Sequence, residues 1–202
     1  MHKLLTGHAT FRREFVAGSR AFLDRLASQH QSPDALFIGC ADSRVVPELL
    51  TSSSPGDLFV VRNVANLVPP AARGDSCVGA ALEYAVQALG IRHIVVCGHY
   101  GCGGVKAMIR GVDATRMPEL DAWLKDAAIL NAAARSSAHA DEQTHWQSAV
   151  EENVLDQLGN LPSYPCVKAL LDAGELTLHG WVYDLRGGLS VYDHAEQRFI
   201  AK

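Results

Sequence analysis

"ALFIGCADSRVVPE", residues 35–48, is an apolar run that ends in a glycine and then sets a cysteine, an aspartate and an arginine at alternate positions. A short continuous apolar run reads as a strand buried on both faces, as in parallel sheets. An open parallel sheet gathers its ligands beyond the carboxyl ends of its strands. Cys40, Asp42 and Arg44 stand at such an end. The stretch therefore predicts both an α/β fold and a reactive site.

The rest of the chain fits the fold. "DLFVVRNVAN" at 57–66 reads as a second strand running into a loop, and "RHIVVCGH" at 92–99 as a third. "LTLHGWVYD" at 176–184 is a fourth, and after the turn "LRGG" the stretch "LSVYDHAEQRFI" supplies edge strands. Helices fall between them. Phe11, Phe15, Phe22, Leu23 and Leu26 share a face within an N-terminal helical arm of about residues 1–30. "DSCVGAALEYAVQALG" at 75–90 is a helix with Asp75 or Ser76 as its cap and Gly90 as its stop. "GGVKAMIRG" restarts a helix at 103. Residues 118–173 read as helical, with breaks at Gly159 and at "LPSYP". Strands alternating with helices predict a largely parallel central sheet flanked by helices, with edge strands near the C-terminus. One domain over residues 1–202 is expected.

The 202 residues carry a mild net charge of −4. No basic run marks a nucleic-acid or membrane surface. The opening "MHKLLTGHATFRREF" lacks the apolar core of a signal peptide, and no apolar segment is long enough to span a bilayer. A cytoplasmic protein is the expectation. The five cysteines are odd in number and irregular in spacing, which favours reduced thiols over a disulfide framework. Cys77, Cys97 and Cys166 read as inert buried thiols. His2, His8, His30, His93, His139, His145 and His194 read as structural or exposed. His179, in "LHGW", reads as a core or hydrogen-bonding residue.

A second cluster, "CGHYGCGG" at 97–104, also follows a buried strand and precedes a helix. His99 and Cys102 have the spacing that lets two side chains reach one ion from a tight turn. With Cys40 they make a Cys2His set, which suits zinc and leaves a fourth position open. Asp42 is the fourth protein candidate, and Arg44 can hold its carboxylate by a bidentate pair.

"CADSRVVPE" and "HYGCGG", with "PGDLFVVRNVANLVPP" and "LEYAV" between them and "HGWVYD" near the end, resemble the β-class carbonic anhydrases. The resemblance spans nearly the whole chain. It implies a zinc enzyme that reversibly hydrates carbon dioxide to bicarbonate and a proton. It implies one Zn²⁺ per chain on Cys40, His99 and Cys102, and a zinc-bound hydroxide assisted by an Asp42–Arg44 catalytic dyad. Asp42 would be a fourth ligand only in a closed state.

The resemblance also implies substrate-binding roles for Gln31, Phe59, Val64, Tyr84 and the backbone amide of Gly103. On their residue types alone, Phe59, Val64 and Tyr84 would serve as core packing. The family's pocket is completed across a subunit interface, so a homodimer or tetramer is implied. Gly39, Arg62 and Tyr183 resemble a branch that closes its site under bicarbonate control. Phe37 stands where that branch carries tryptophan, and Gln31-Ser32-Pro33 resembles the open branch. The open form is expected. The runner-up readings are a carbon disulfide-type heterocumulene hydrolase on the same site and a non-catalytic zinc-binding module with Asp42 permanently bound.

Overall fold

The apolar run forms strand β1 (Ala35–Cys40), buried from Leu36 to Cys40. Its neighbours are β2 (Leu58–Asn63) and β3 (His93–His99), both parallel to it. The computed structural model describes residues 1–74, 76–130 and 141–202. They fall into two units, Met1–Ser32 and Pro33–Lys202.

The first unit holds α1 (His2–Phe11), a wide helical turn over Arg12–Val16 and α2 (Arg20–Ser28). Phe11 and Phe15 stack with ring centroids 5.2 Å apart. No residue of either α-helix is buried. Gln31 lies in the irregular stretch that follows α2.

In the second unit six strands run in the order β2-β1-β3-β4-β5-β6. β4 (Thr177–Tyr183) is parallel to β3, whereas β5 (Leu189–Asp193) and β6 (Arg198–Ala201) are antiparallel. This is the largely parallel sheet with C-terminal edge strands that the sequence predicts. Parallel neighbours need crossovers, and helices supply them. These are α3 (Pro47–Thr51), α4 (Ser76–Glu83), α5 (Gly103–Arg110), α6 (Pro118–Leu130), α7 (Glu142–Asn160) and α8 (Pro165–Asp172). Leu36, Ile38, Ile94 and Val96 face Leu82, Val105, Val150 and Val154 in the larger core. Phe37, Val95 and Cys97 face the other way and pack with Leu50, Val60 and Trp181.

The helix α7 lies directly on the sheet. A Cβ at Gly98 would stand 2.7 Å from Val154, and one at Gly180 would stand 2.9 Å from Leu158. Glycine at these two strand positions is what lets the helix come so close.

Three expectations change. Gly159 does not break the helix, because α7 runs on to Asn160. A helical glycine costs about 1 kcal/mol, while each buried leucine contributes about 1.5–3 kcal/mol. Leu158 and Leu161 are both buried beside it, so packing wins. Cys77 is exposed and Cys166 half-buried, rather than both buried. The inward face of α4 is set by Val78 and Leu82, and Cys77 points away from it. Ser76 is the first residue of α4 rather than its cap. The alternative cap Asp75, His139 and the 131–140 part of the expected helical section lie outside the described residues.

Candidate metal centre

Cys40 is the last residue of β1, His99 the last of β3, and Cys102 the residue that caps α5. Between His99 and Cys102 the chain reverses through Gly101, whose φ of 76° is easy only for glycine. The Tyr100 amide donates to the Tyr183 carbonyl at 2.9 Å and fixes the start of that turn. The three ligand atoms of Cys40, His99 and Cys102 come within 4.8 Å of one another, and all three residues are buried. The two sulfurs stand 3.8 Å apart.

The donor set is prepared for a cation. His99 Nδ1 lies 3.1 Å from the Tyr100 carbonyl oxygen, a contact that places the ring proton on Nδ1. The lone pair is then on Nε2, which is buried and has no hydrogen-bond partner among the described residues. An unsatisfied buried acceptor costs about 1–3 kcal/mol, and metal coordination would satisfy it. Sharing a hydrogen bond with Cys102 draws Cys40 down towards the thiolate. The same bond, together with burial, holds Cys102 up in the protonated form. Thus the pair carries one charge between its sulfurs. A cation among them would let both ionise. Backbone amides of Asp42 and Ala65 serve Cys40, and those of Gly104 and Val105 serve Cys102. Two sulfurs and an imidazole nitrogen suit Zn²⁺.

Beside this set Asp42 is gripped by Arg44. Arg44 Nε donates to Oδ1 at 2.9 Å and Nη2 to Oδ2 at 2.6 Å, while the Arg44 amide donates to Oδ1 at 3.0 Å. Nη2 also reaches the Gly101 carbonyl at 3.3 Å, tying the two strand-end loops together. The hydrogen bonds from Arg44 hold the Asp42 carboxyl well below the usual carboxylate range. Asp42 Oδ2 stands 3.8 Å from His99 Nε2. Arg62 supports the loop from β2, donating from Nε to the Cys40 carbonyl at 3.0 Å and from Nη2 to the Asp42 carbonyl at 2.7 Å.

Further support comes from residues the sequence reading passed over. Ala65 is fully buried with a φ of 66°, a conformation that strains a non-glycine residue by about 1–3 kcal/mol. It persists because Asn153 on α7 donates to its carbonyl at 3.0 Å. Gln157, one turn on, donates to Asn153 at 3.2 Å and accepts from the Val68 amide at 2.8 Å. From the same helix Trp146 donates to the Cys102 carbonyl at 3.0 Å, and Glu151 accepts from the Tyr100 hydroxyl at 2.5 Å. One signal was available. Asn153 and Gln157 share a face with Val150 and Val154, and amides on an apolar face mark backbone to be held.

The expected substrate residues fall in separate places. Phe59 and Tyr84 meet with ring centroids 5.8 Å apart. Val64 lines an apolar groove of about 470 Å³ with Val61, Val78, Leu120 and Trp123. A Cβ at Gly104 would lie 2.9 Å from Val64 and Ala65 side-chain atoms, so the turn after β2 packs against the start of α5. Gly103, the first residue of α5, has open space at its Cβ position. Gln31 belongs to the first unit. Phe37 meets Trp181 edge-on at 6.2 Å, and its ring lies where a side chain at residue 39 would go.

A profile of the carbonic anhydrase family matches residues 35–190. A carbonic anhydrase of Pseudomonas aeruginosa is 41% identical over 202 residues, covering 100% of this chain and 91% of that protein. Among solved structures, the β-carbonic anhydrase CcaA matches with a TM-score of 0.93 at 38% identity, over 100% of this chain and 99% of the other. A structure from a study of two tetrameric β-carbonic anhydrases of Sordaria macrospora matches with a TM-score of 0.83 at 30% identity, over 94% and 95% of the two chains. The strand-end cysteines and histidine, the sheet that presents them and these matches together make the chain a member of the β-carbonic anhydrases, a family of zinc lyases.

Proposed function

We propose that the chain reversibly hydrates carbon dioxide to bicarbonate and a proton, with one Zn²⁺ held by Cys40, His99 and Cys102 and with Asp42 and Arg44 as the catalytic pair. The observation that carries this is the buried Cys2His cluster with an arginine-gripped aspartate 3.8 Å from its imidazole nitrogen. Zinc, when bound, supplies a Lewis acid that makes water nucleophilic near neutral pH. Asp42 stays ionised because Arg44 donates to both of its oxygens. Remaining lone pairs on those oxygens can accept a hydrogen bond from the attacking water and aim it. The grip of Arg44 also competes with metal coordination by Asp42, which supports the open form over the closed one.

Carbon dioxide is small and apolar, and Phe59, Val64 and Tyr84 offer it an apolar wall. The Gly103 amide stands at the N-terminus of α5, where unsatisfied N–H groups favour an anion. It serves as donor to bicarbonate. Gln31 is assigned to substrate binding as well. Residues 1–202 act as one domain with an arm over about residues 1–30.

A homodimer or tetramer is proposed, supported by the tetrameric Sordaria relatives. Tyr84 and Val64 are 49% and 38% exposed, which suits a wall that a second subunit completes. No helix among the described residues is long and apolar enough to cross a membrane. The cytoplasm is the proposed compartment, since it keeps the two ligand thiols reduced.

Stopped-flow hydration of carbon dioxide by the zinc-loaded protein tests the reading. Hydration that depends on zinc supports it. Zinc binding without hydration would favour a non-catalytic module, and turnover of carbon disulfide alone a heterocumulene hydrolase. Sedimentation at micromolar concentration tests the assembly, and an active monomer would contradict the shared pocket.

A further inference from the structure

The opposite end of the central strands carries a second group of metal-ligating side chains. His93 is the first residue of β3, six residues before His99. At about 3.3 Å per residue the two lie roughly 20 Å apart, so His93 is remote from the proposed zinc centre. The strand register sets Val95 against His179 and His93 against Thr177. Residues opposite one another in a sheet share a face, as do alternate residues of one strand. His93 and His179 therefore project from the same face on neighbouring strands, a diagonal step apart. Their rings approach to a centroid distance of 5.4 Å, and His93 Nδ1 lies 3.2 Å from His179 Nε2.

We propose that His93 and His179 form a second, surface site for a divalent transition metal such as Zn²⁺ or Ni²⁺. Two nitrogens each about 2.0–2.1 Å from one ion stand about 3.3 Å apart in tetrahedral geometry and about 2.9 Å apart at a right angle. The observed separation falls within that range. Two imidazole nitrogens this close need one electrophile between them, either the N–H proton of one ring or a metal ion. When metal enters, that proton moves to the outer nitrogen of its own ring, and both inner lone pairs turn to the ion. Each ring then remains a neutral imidazole, and the charge rises by that of the metal alone.

The surroundings of His179 oppose its protonation. Burial, His93 and the nearby His194 all push the His179 pKa down. That shift favours the neutral imidazole at His179, the form that binds metal. His93 is exposed and His179 half-buried, so an ion can reach them and complete its shell with water. His194 bears on the site electrostatically but is not a ligand. Among the described residues only Cys40, His99 and Cys102 bring three ligand atoms together.

The test is calorimetric titration of the one-zinc holoenzyme with further Zn²⁺ and, separately, Ni²⁺, alongside histidine side-chain ¹⁵N spectra. We expect a second equivalent of metal to bind and the ring nitrogens of His93 and His179 to shift together. His179→Ala and His93→Asn should each abolish that equivalent while leaving the first zinc and the hydration rate unchanged. Nickel should bind more tightly than manganese at this nitrogen site. Absence of a second equivalent at millimolar metal, or its retention in both variants, would overturn the proposal. So would ring shifts confined to other histidines.

Discussion

Cys40 and Cys97 sit on adjacent strands, with Cys97 in register beside Gly39, and both are buried. Their chemistry is nevertheless opposite. Cys40 is drawn towards the thiolate by its hydrogen bond with Cys102 and by the amides of Asp42 and Ala65. Cys97 is pushed up to about 12 by burial, and then by the charge of Cys40. Its side chain packs with Phe37, Val95 and Trp181, and its sulfur donates to the Gly98 carbonyl at 3.4 Å. Burial alone makes a thiol inert. The strand end makes one reactive, because there the turn brings a second thiol, and with it backbone amides, to the sulfur.

The sharpest break of that contrast is the exchange of a ligand. Cys102→Ser should lose most of the zinc and most of the hydration activity, measured by elemental analysis and stopped flow. Cys97→Ser should keep both. Full zinc occupancy in Cys102→Ser would remove Cys102 from the ligand set.

Next comes Arg44→Ala, which should keep its zinc and lose most activity as the freed Asp42 carboxylate turns to the metal. Arg44→Lys should restore only part, since lysine offers charge without the planar fork. Near-normal activity in Arg44→Ala would end the dyad assignment while leaving the ligands in place.

A smaller effect is expected at Asn153. Asn153→Ala leaves the carbonyl of strained Ala65 and the amide of Gln157 without their partner, at a cost of about 1–3 kcal/mol. With the Ala65 amide no longer fixed on Cys40, zinc affinity should fall by about 10-fold or more, as for other outer supports of metal ligands. Competition with a chromophoric chelator measures it. An unchanged affinity would mean that the turn after β2 holds itself.

The smallest effect concerns Asp156, which repeats the Cys97 pattern with a carboxylate. Burial, followed by the charge of Glu152, raises its pKa from 3.8 to about 6. The folded state therefore holds the proton more tightly than the unfolded chain does. The resulting stability is present below about pH 4 and is lost as pH rises through 6. Asp156→Asn should then stabilise the protein at pH 8 by about 1 kcal/mol after allowance for its partial exposure, and by less at pH 5. Urea denaturation at the two pH values checks the sign. An equal change at both would assign the effect to packing.

Much of this was legible in the chain. The sheet could be read because parallel strands buried on both faces leave continuous apolar runs, as at 35–39 and 94–97. The ligand cluster could be read because each strand end carries its reactive residues within a few positions. What stayed hidden depends on tertiary contact. Nothing local predicts that Ala65 takes a left-handed conformation, since Asn153, 88 positions away, holds its carbonyl there. Gly159 looked like a stop because a glycine penalty is local and the compensating burial of Leu158 and Leu161 is not. Cys77 looked like core because a cysteine in an apolar helix is usually inside, and the rotation of α4 was not fixed by its pattern.

The central claim is that two of the three buried strand-end and strand thiols, Cys40 and Cys102 but not Cys97, are the sulfur ligands of one ion. Substituting Co²⁺ for zinc and recording the thiolate-to-cobalt charge-transfer absorption counts those sulfurs directly. The account predicts a tetrahedral spectrum with a two-thiolate band in the wild-type protein, about half that intensity in any cobalt retained by Cys40→Ser or Cys102→Ser, and an unchanged band in Cys97→Ser. A band that survives whole in Cys40→Ser or Cys102→Ser, or that falls in Cys97→Ser, would contradict it.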